Sequence, residues 1–556
     1  NKINKTKLAT RQIFKEKTSK NWTLHKFTMP NIKDGSVVEW KYRKASPYFW
    51  NLDELYLQQS IPIKKMDVLV KLPEYFRYKV HYGGYLQSNF QRETKNKKIR
   101  YSYRSTGGNY VGAITTKHNE SVDLKYEYYS MNKNNIPAFN ADEPYISSVK
   151  NYISTAKFEL QSVMMPNSQP RYFAESWSDV SKRIYKSAAF GQELTKSGYY
   201  KKDLANAITG KASDKEKALA IYHFVKSKMK WNGGYGIYTS DGVRKAFKNN
   251  TGNVAEINLM LTSMMQSAGL NANPVVLSTR HNGIPLFPTI DGYNYVIASV
   301  IFADGSYALL DATDPYSMPN LLPVRTINWS GRLIKKDGTS TIINLVPTKH
   351  SVEDNTVSVK LEEDGIATGM MRTKLTNYEA YSFRVANNHL KDTELQTKLE
   401  EQYNIEIDNF RVTNKTNSKP INKLVKFTSE DLVETIGGKL YIQPLLFLSN
   451  NTNPFKLDDR KFPVDFVKPW REKNTISIEI PKGYKVESVP EPTAISMADN
   501  YGVFKFQIIQ SANKIKVLSI VQMNKAVVTP DYYPELKELF NRIVKKQSEK
   551  IVLVKE

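Results

Sequence analysis

The chain has no cysteine in its 556 residues. That absence excludes disulfides, zinc-thiolate sites and any thiol nucleophile at once. It also fits an oxidising envelope compartment whose proteins avoid stray thiols. No apolar run reaches the roughly 18 residues that a membrane-spanning helix needs, so no helical span is expected. The opening "NKINKTKLAT" lacks an initiator methionine and the apolar core of a signal peptide, and it reads as a mature chain or as part of a longer one. Internal repeats, heptads and low-complexity linkers are missing as well, which predicts domains in close contact rather than tethered apart. Neither an RNA-binding nor a DNA-binding motif is present, so nucleic acid is not an expected partner.

What is present is an ordinary globular composition, 40% hydrophobic and 24% charged, in a chain too long for one core. Three or four domains are expected. Lysine and arginine number 80 against 55 acidic residues, a net charge of +25 that favours anionic partners. The excess is uneven: residues 61–110 hold eleven basic and three acidic side chains. There Tyr82, Tyr85, Tyr101 and Tyr103 interleave with Arg77, Lys79, Lys97, Lys98, Arg100 and Arg104. Tyrosines beside cations can stack on sugars or bases and hold phosphate. The alternation in "IRYSYR" equally describes paired strands with tyrosines packed on one face and cations solvated on the other.

Strand-like alternation and turn residues run through the first 160 or so residues, as in "KFTMPNIKDGSVVEWKYRKASP" and at Met66, Val68 and Val70. Helical periodicity takes over at Ser176. "SDKEKALAIYHFVKSKMKW" has a capping box, Ser213 with Glu216, ahead of a stripe at Ala218, Ile221, Tyr222 and Val225. A glycine-rich loop, a second helix in "TGNVAEINLMLTSMMQSAGL" and a strand at Val275–Leu277 follow, then "YNYVIASVIF" and "SYALLDATDPY". Alternation returns after "NLVPTKHSVEDN", with a hairpin at Asp364-Gly365 and a helical interlude from Asn377 to Gln402. An amphipathic helix through Leu536, Leu539, Phe540 and Ile543 and a short strand close the chain.

The order helix, glycine loop, helix and strands resembles the transglutaminase-like core of the papain-type superfamily. That family places cysteine in a Gly-x-Cys turn opening a helix, histidine in an Asn-His pair on the next strand, and aspartate at a strand end. The matching residues here are Val254 in "TGNVAEINL", Tyr295 in "YNYVIA" and Asp311 in "LLDATDP". Valine has no ionisable atom, and a tyrosine with a pKa near 10 is a poor base at neutral pH. The resemblance thus implies a catalytically degenerate member with no catalytic residue. It extends through "QQSIPIKKMDVLVKLPEYFRYKV" to envelope proteins of Gram-negative bacteria in which β-rich domains flank the core, and it implies a signal peptide upstream of Asn1. The expected fold class is multidomain α+β: a β-rich sandwich over 1–165, incomplete at its start, a transglutaminase-like core over 166–340, and a β-rich sandwich over 341–556.

Other residues do not suit the vacant roles. Ser263 and Thr262 lie deep in the helix, Thr251 precedes the turn without a nearby histidine, and His281 is the one histidine between Val254 and Asp311. Ser278 or Thr279 with His281 would need converging side chains, whereas strand neighbours tend to point to opposite faces. Asp291, Asp311, Asp314 and Glu256 match no recurrent metal or glycosidase spacing. Asp311 and Thr313 suit a strand end, Asp314-Pro315 a turn and Glu256 a helix N-terminus. No metal and no cofactor is expected.

The function these features imply is a non-catalytic binding or scaffold subunit of an envelope or outer-membrane protein complex, exported to the periplasm or the outer membrane. Its former cleft would be formed by Trp231, Asn253, Val254, Glu256, Asn294, Tyr295 and Asp311, and its basic tyrosine-rich region would face an anionic glycan or lipid surface. The alternatives are a hydrolase or acyltransferase of peptides or glycans with a non-standard site, and a polysaccharide-binding protein.

Overall fold

The computed structural model describes residues 5–17, 23–86, 88–107, 114–140, 143–166, 168–173, 176–511 and 513–556. The chain divides into two compact units, Asn1–Leu52 and Asp53–Glu556. That boundary falls inside the 1–165 region read as one domain. In the first unit, β1 (Ile13–Lys17) and β2 (Thr23–Phe27) form an antiparallel pair. Asp34-Gly35 makes the expected turn, with the Ser36 N–H donating to Lys33 O at 2.9 Å. Residues 36–46, expected as a strand, form no regular element.

The second unit begins with β3 (Leu55–Tyr56), β4 (Ile63–Pro73), β5 (Phe76–Gly83), β6 (Gln91–Gly107), β7 (Ile114–Ile136), β8 (Thr155–Val163) and β9 (Arg171–Tyr172). They make two sheets, β3-β8-β5 with β9 on β8, and β4-β7-β6. Met131 of β7, Ala156 of β8 and Leu57 share one apolar cluster, so the sheets pack face to face. Strand β4 leaves β7 at Pro73↔Tyr126, whereas β6 accompanies β7 on to Ile114. Beyond Tyr126 the two strands are therefore a ribbon with no third strand beside them among the described residues.

The mixed region follows as α1 (Trp177–Lys186), α2 (Gly191–Leu194), α3 (Lys201–Ile208), α4 (Asp214–Lys228), β10 (Lys230–Trp231), α5 (Val243–Asn249), β11 (Thr251–Gly252), α6 (Val254–Ser267), β12 (Asn271–Leu277), β13 (Tyr295–Ile301), β14 (Tyr307–Leu310), β15 (Ser330–Ile334) and β16 (Ser340–Asn344). The Ser213/Glu216 capping box opens α4, and Ala218, Ile221, Tyr222 and Val225 are its buried side. Helix α6 is buried on every side from Val254 to Met265, with Glu256, Asn258, Thr262 and Ser263 set among its apolar side chains. It lies on an antiparallel sheet of order β14-β13-β12-β15-β16, whose strands β12 and β13 bury Val275, Val276, Leu277, Val296, Ile297 and Val300.

The last region runs β17 (Ser351–Leu361), β18 (Ala367–Leu375), α7 (Asn377–Asn387), α8 (Asp392–Tyr403), β19 (Glu406–Thr413), β20 (Ile421–Ser429), β21 (Val433–Ile436), β22 (Lys439–Ile442), β23 (Val464–Asp465), β24 (Trp470–Glu479), β25 (Tyr484–Ser488), β26 (Thr493–Ser496), β27 (Gly502–Ser511), β28 (Lys514–Met523), β29 (Val527–Val528), α9 (Tyr533–Ser548) and β30 (Ile551–Lys555). An eight-stranded sheet, β19-β20-β18-β17-β24-β28-β27-β26, packs its alternate residues against α9 and a four-stranded sheet, β21-β22-β30-β25. The hairpin at Asp364-Gly365 joins β17 to β18, as the alternation predicts. Within this unit the regions interlock: Arg280 of the mixed region pairs with Asp465 at 3.0 Å, and Tyr378 donates to Leu322 O at 3.0 Å.

Candidate functional site

The site is built around the N-terminus of α6. Asn253 caps the helix, its Oδ1 accepting from the Glu256 N–H at 2.8 Å while Glu256 Oε2 accepts from the Asn253 N–H at 2.8 Å. The same carboxylate binds the preceding loop, its Oε1 accepting from the N–H groups of Ser240, Asp241 and Gly242 at 3.0, 2.7 and 3.2 Å. Asn253 Nδ2 donates to Tyr238 O and Ser240 Oγ at 3.0 and 3.1 Å. The glycine-rich loop is drawn in by the Val254 N–H, which donates to Gly234 O at 3.1 Å. Gly252 allows the close approach, because a Cβ there would meet Glu256 Cβ at 2.9 Å.

Strand β13 brings Tyr295 to the end of β14. The phenol donates to Asp311 Oδ2 at 2.7 Å and lies 2.8 Å from Thr313 Oγ1. Asp311 Oδ1 accepts from Asn258 Nδ2 at 3.0 Å and from the Thr313 N–H and hydroxyl at 2.9 and 2.7 Å. Arg325, on the turn Val324–Thr326, donates from Nε to the phenol oxygen at 3.1 Å and from Nη2 to Thr313 Oγ1 at 2.9 Å. Its guanidinium stands 4.5 Å from the Trp231 ring centre and 5.7 Å from that of Tyr295.

Burial, and then the Asp311 charge, hold the Tyr295 phenol well above its ordinary pKa. Burial pulls the Arg325 guanidinium down, but Tyr295, Asp311 and Asp314 outweigh it and leave it above its ordinary value. The group facing Asp311 at neutral pH is thus a neutral hydrogen-bond donor, which cannot take a proton from a nucleophile.

Residues 202–312 match the model of the transglutaminase-like superfamily. These residues form a transglutaminase-like domain. Residues 438–553 match a domain of unknown function with a solved structure, DUF3858. No curated protein matches the chain. Two crystal structures are similar. A candidate protease from Parabacteroides distasonis ATCC 8503 is 14% identical, covering 91% of this chain and 75% of its own, with a TM-score of 0.48. A candidate cysteine protease from Cytophaga hutchinsonii is 10% identical, covering 52% of this chain and 83% of its own, with a TM-score of 0.19.

In the transglutaminase-like domain the three triad positions are interior. Val254, Tyr295 and Asp311 are each 0% exposed, and Asn253 and Glu256 are buried. The expected cleft lined by these five residues is corrected accordingly: their side chains point into the core and into each other. Of the expected set only Trp231 and Asn294 are half-exposed. Asn294 is spent on Thr279, accepting from its N–H and donating to its Oγ1, both at 2.8 Å. The surface over the site is made instead by Tyr235, 43% exposed, whose ring centre lies 5.3 Å from Trp231, 5.9 Å from Tyr295 and 5.4 Å from His281.

The reading that Thr279 and His281 point apart is also corrected. The short turn Arg280–Asn282 folds the chain back and sets Thr279 Oγ1 3.1 Å from His281 Nδ1. Thr279 is nonetheless 0% exposed, so no substrate reaches its hydroxyl, and Ser278 donates to Gly283 O at 2.5 Å. Ser263 and Thr262 are buried, their hydroxyls donating to Leu194 O and Asn258 O, both at 2.8 Å. Asp314 Oδ1 accepts from the Tyr316 and Ser317 N–H groups at 2.9 and 3.2 Å, the turn role expected of it. Among the described residues no three His, Asp or Glu side chains gather as a metal-ion ligand set.

The basic, tyrosine-rich residues do not form one patch. Arg77, Lys79 and Tyr82 belong to β5, and Tyr85 follows that strand to pack on Tyr152, with ring centres 5.8 Å apart. Lys97, Lys98, Arg100 and Arg104 belong to β6, in the other sheet. On β6 the alternation holds, but the tyrosine face is not packed on a core. Tyr101 and Tyr103 are 46% and 44% exposed, stack at 6.2 Å, and donate to Glu120 at 2.7 and 3.1 Å. They lie on the two-stranded ribbon, past the end of the β4 pairing.

Sequence reasoning missed Arg325, Tyr235 and Asn258. Asn258 had a signal, as a polar residue one turn after Val254 in an otherwise apolar run. Arg325 had none, because it arrives from outside the family-matched segment.

Proposed function

We propose that this chain is a non-catalytic transglutaminase-like protein that works by binding, as a scaffold subunit of a protein complex in the bacterial cell envelope. The observation that carries this reading is that Arg325 donates to Tyr295 while Val254 is fully buried. The place of a thiolate is apolar core, and the place of an imidazole is a phenol held neutral. The missing cysteine removes the family's nucleophile. Its absence and the basic charge are the features that favour an envelope setting. The surface left for a partner at this site is Tyr235, Trp231 and His281.

The reading is tested in two ways. Purified protein incubated with peptide and glycan pools is expected to give no hydrolysed or transferred product by mass spectrometry, and reproducible turnover overturns the non-catalytic part. A photo-crosslinking amino acid at position 235 is expected to capture one stoichiometric envelope protein in the native host. Capture of the same species from a remote position such as Ile342 overturns the assignment of that surface.

A further inference from the structure

The eight-stranded sheet of the last region has one face in the core and one in solvent. Phe427, Met371, Val357, Ile476 and Val517 point inward and are buried. The register sets the outward residues in rows across the strands. One row is Arg411, Leu424, Arg372 and Thr356; the next is Thr413, Asn422, Lys374, Asp354 and Lys473; a third is Lys426, Met370, Ser358, Ser477 and Lys516. Two shallow grooves of about 480 and 620 Å³ run over these rows.

The larger groove is strongly cationic, with Arg372, Lys374, Arg411 and Lys473 against Asp354, while the smaller is mixed, with Asp408 and Glu479 beside Lys360, Lys426 and Lys514. Lys360, Lys473 and Lys514 have acidic neighbours in Glu362, Asp354 and Glu479 at 2.6, 3.4 and 3.7 Å. Arg372, Lys374, Arg411, Lys426 and Lys516 have no ion-pair or hydrogen-bond partner among the described residues, and all five are exposed. Strand spacing puts cations about 10 Å apart across two strands and about 7 Å apart along one. Such a field selects a ligand with regularly repeated negative charge.

We infer that this face binds a linear polysaccharide bearing carboxylate groups. A protein partner would need the aromatic or apolar anchors on which interface energy concentrates; none of the outward residues in these rows is aromatic, and the two apolar ones, Leu424 and Met370, are half-buried and stand in different rows. Single-stranded nucleic acid would need rings to stack on. What the grooves offer between the cations is hydroxyl and amide groups, from Thr356, Thr413, Asn422, Ser358 and Ser477. These suit a hydroxyl-rich chain whose carboxylates are held by the arginines. The inference does not rest on the transglutaminase-like site, so each reading can fail without the other.

The test uses the full chain with polygalacturonate as probe, measured by calorimetry at low salt. Binding is expected to weaken about tenfold or more in the triple variant Arg372→Gln, Lys374→Gln, Arg411→Gln, given a modest contribution from each exposed charge. It is expected to change less than about twofold in Lys98→Gln, Arg100→Gln, Arg104→Gln, which removes an equal charge from the ribbon. Both triples replace exposed side chains, and matched circular dichroism and melting confirm their folding. Absence of polygalacturonate binding, equal weakening by the two triples, or equal or tighter binding of polyglutamate, an oligonucleotide or anionic phospholipid vesicles overturns the proposal.

Discussion

Tyr295 donates its phenolic hydrogen to Asp311 across 2.7 Å, where the family resemblance would put an imidazole beside its orienting carboxylate. The carboxylate is fully buried, and its other donors, Asn258 and Thr313, converge on Oδ1, so Oδ2 depends on the phenol. Tyr295→Phe keeps the ring and removes that donor. It is expected to destabilise the protein by about 1–3 kcal/mol, the cost of leaving a buried acceptor unpaired. Urea denaturation measures it, and a loss below about 0.5 kcal/mol would mean that Arg325 turns to take the phenol's place.

Glu256 tests a different part of the same scaffold. One carboxylate oxygen collects three backbone N–H groups from the loop and the other completes the cap of α6. Glu256→Gln leaves one accepting oxygen and introduces an amide that faces donors. A loss of about 2–4 kcal/mol is expected, since hydrogen bonds to a charged group are the stronger kind and several fail together. Hydrogen exchange should rise first at Ser240, Asp241 and Gly242. Faster exchange spread evenly over the domain would show that the carboxylate does not anchor this loop.

How far the sequence discloses this molecule depends on whether a feature is local. The capping box at Ser213, the buried stripe of α4 and the Asp364-Gly365 hairpin are set by residues within one turn of each other, and they appear where the pattern puts them. The positions of Val254, Tyr295 and Asp311 could likewise be read from motif order. Their burial could not, because it is set by packing against residues distant in sequence, and no periodicity connects a partner such as Arg325 to Tyr295. The exposed tyrosines of β6 make the same point. Alternation assigned Tyr101 and Tyr103 to one face correctly, but whether anything covers a face is decided by where β4 ends.

Arg460 links segments far apart in sequence. It is 1% exposed and donates to the carbonyls of Phe462, Pro144, Tyr145 and Pro463 at 3.2, 2.8, 3.3 and 3.3 Å, with Glu143 3.6 Å away. Arg460→Met retains bulk but strands four acceptors and a buried carboxylate. Removing one partner of such a pair is expected to cost about 3–5 kcal/mol. Limited proteolysis should then open the chain near Tyr145 and Pro463 before other sites. An unchanged digestion pattern would remove Arg460 as the clasp between those segments.

Glu472 gives the protein a pH dependence whose sign follows from its surroundings. It stands opposite Glu353 in the β17-β24 register, and burial pushes its pKa up to about 7, with Glu353 and Glu379 adding to the rise and the Asn474 hydrogen bond opposing it. The unfolded chain titrates the same group near 4.3. Between these values the native state holds more protons than the unfolded one, so stability falls as pH rises. The contribution is full below about pH 4 and gone above about pH 7. Partial solvent exposure trims it to on the order of 2 kcal/mol. Glu472→Gln keeps the shape and cannot ionise. Urea titrations at pH 4.5 and pH 8 should therefore show the wild type losing about 2 kcal/mol relative to this variant across the interval. Parallel pH profiles for the two proteins would place the wild-type dependence in other groups.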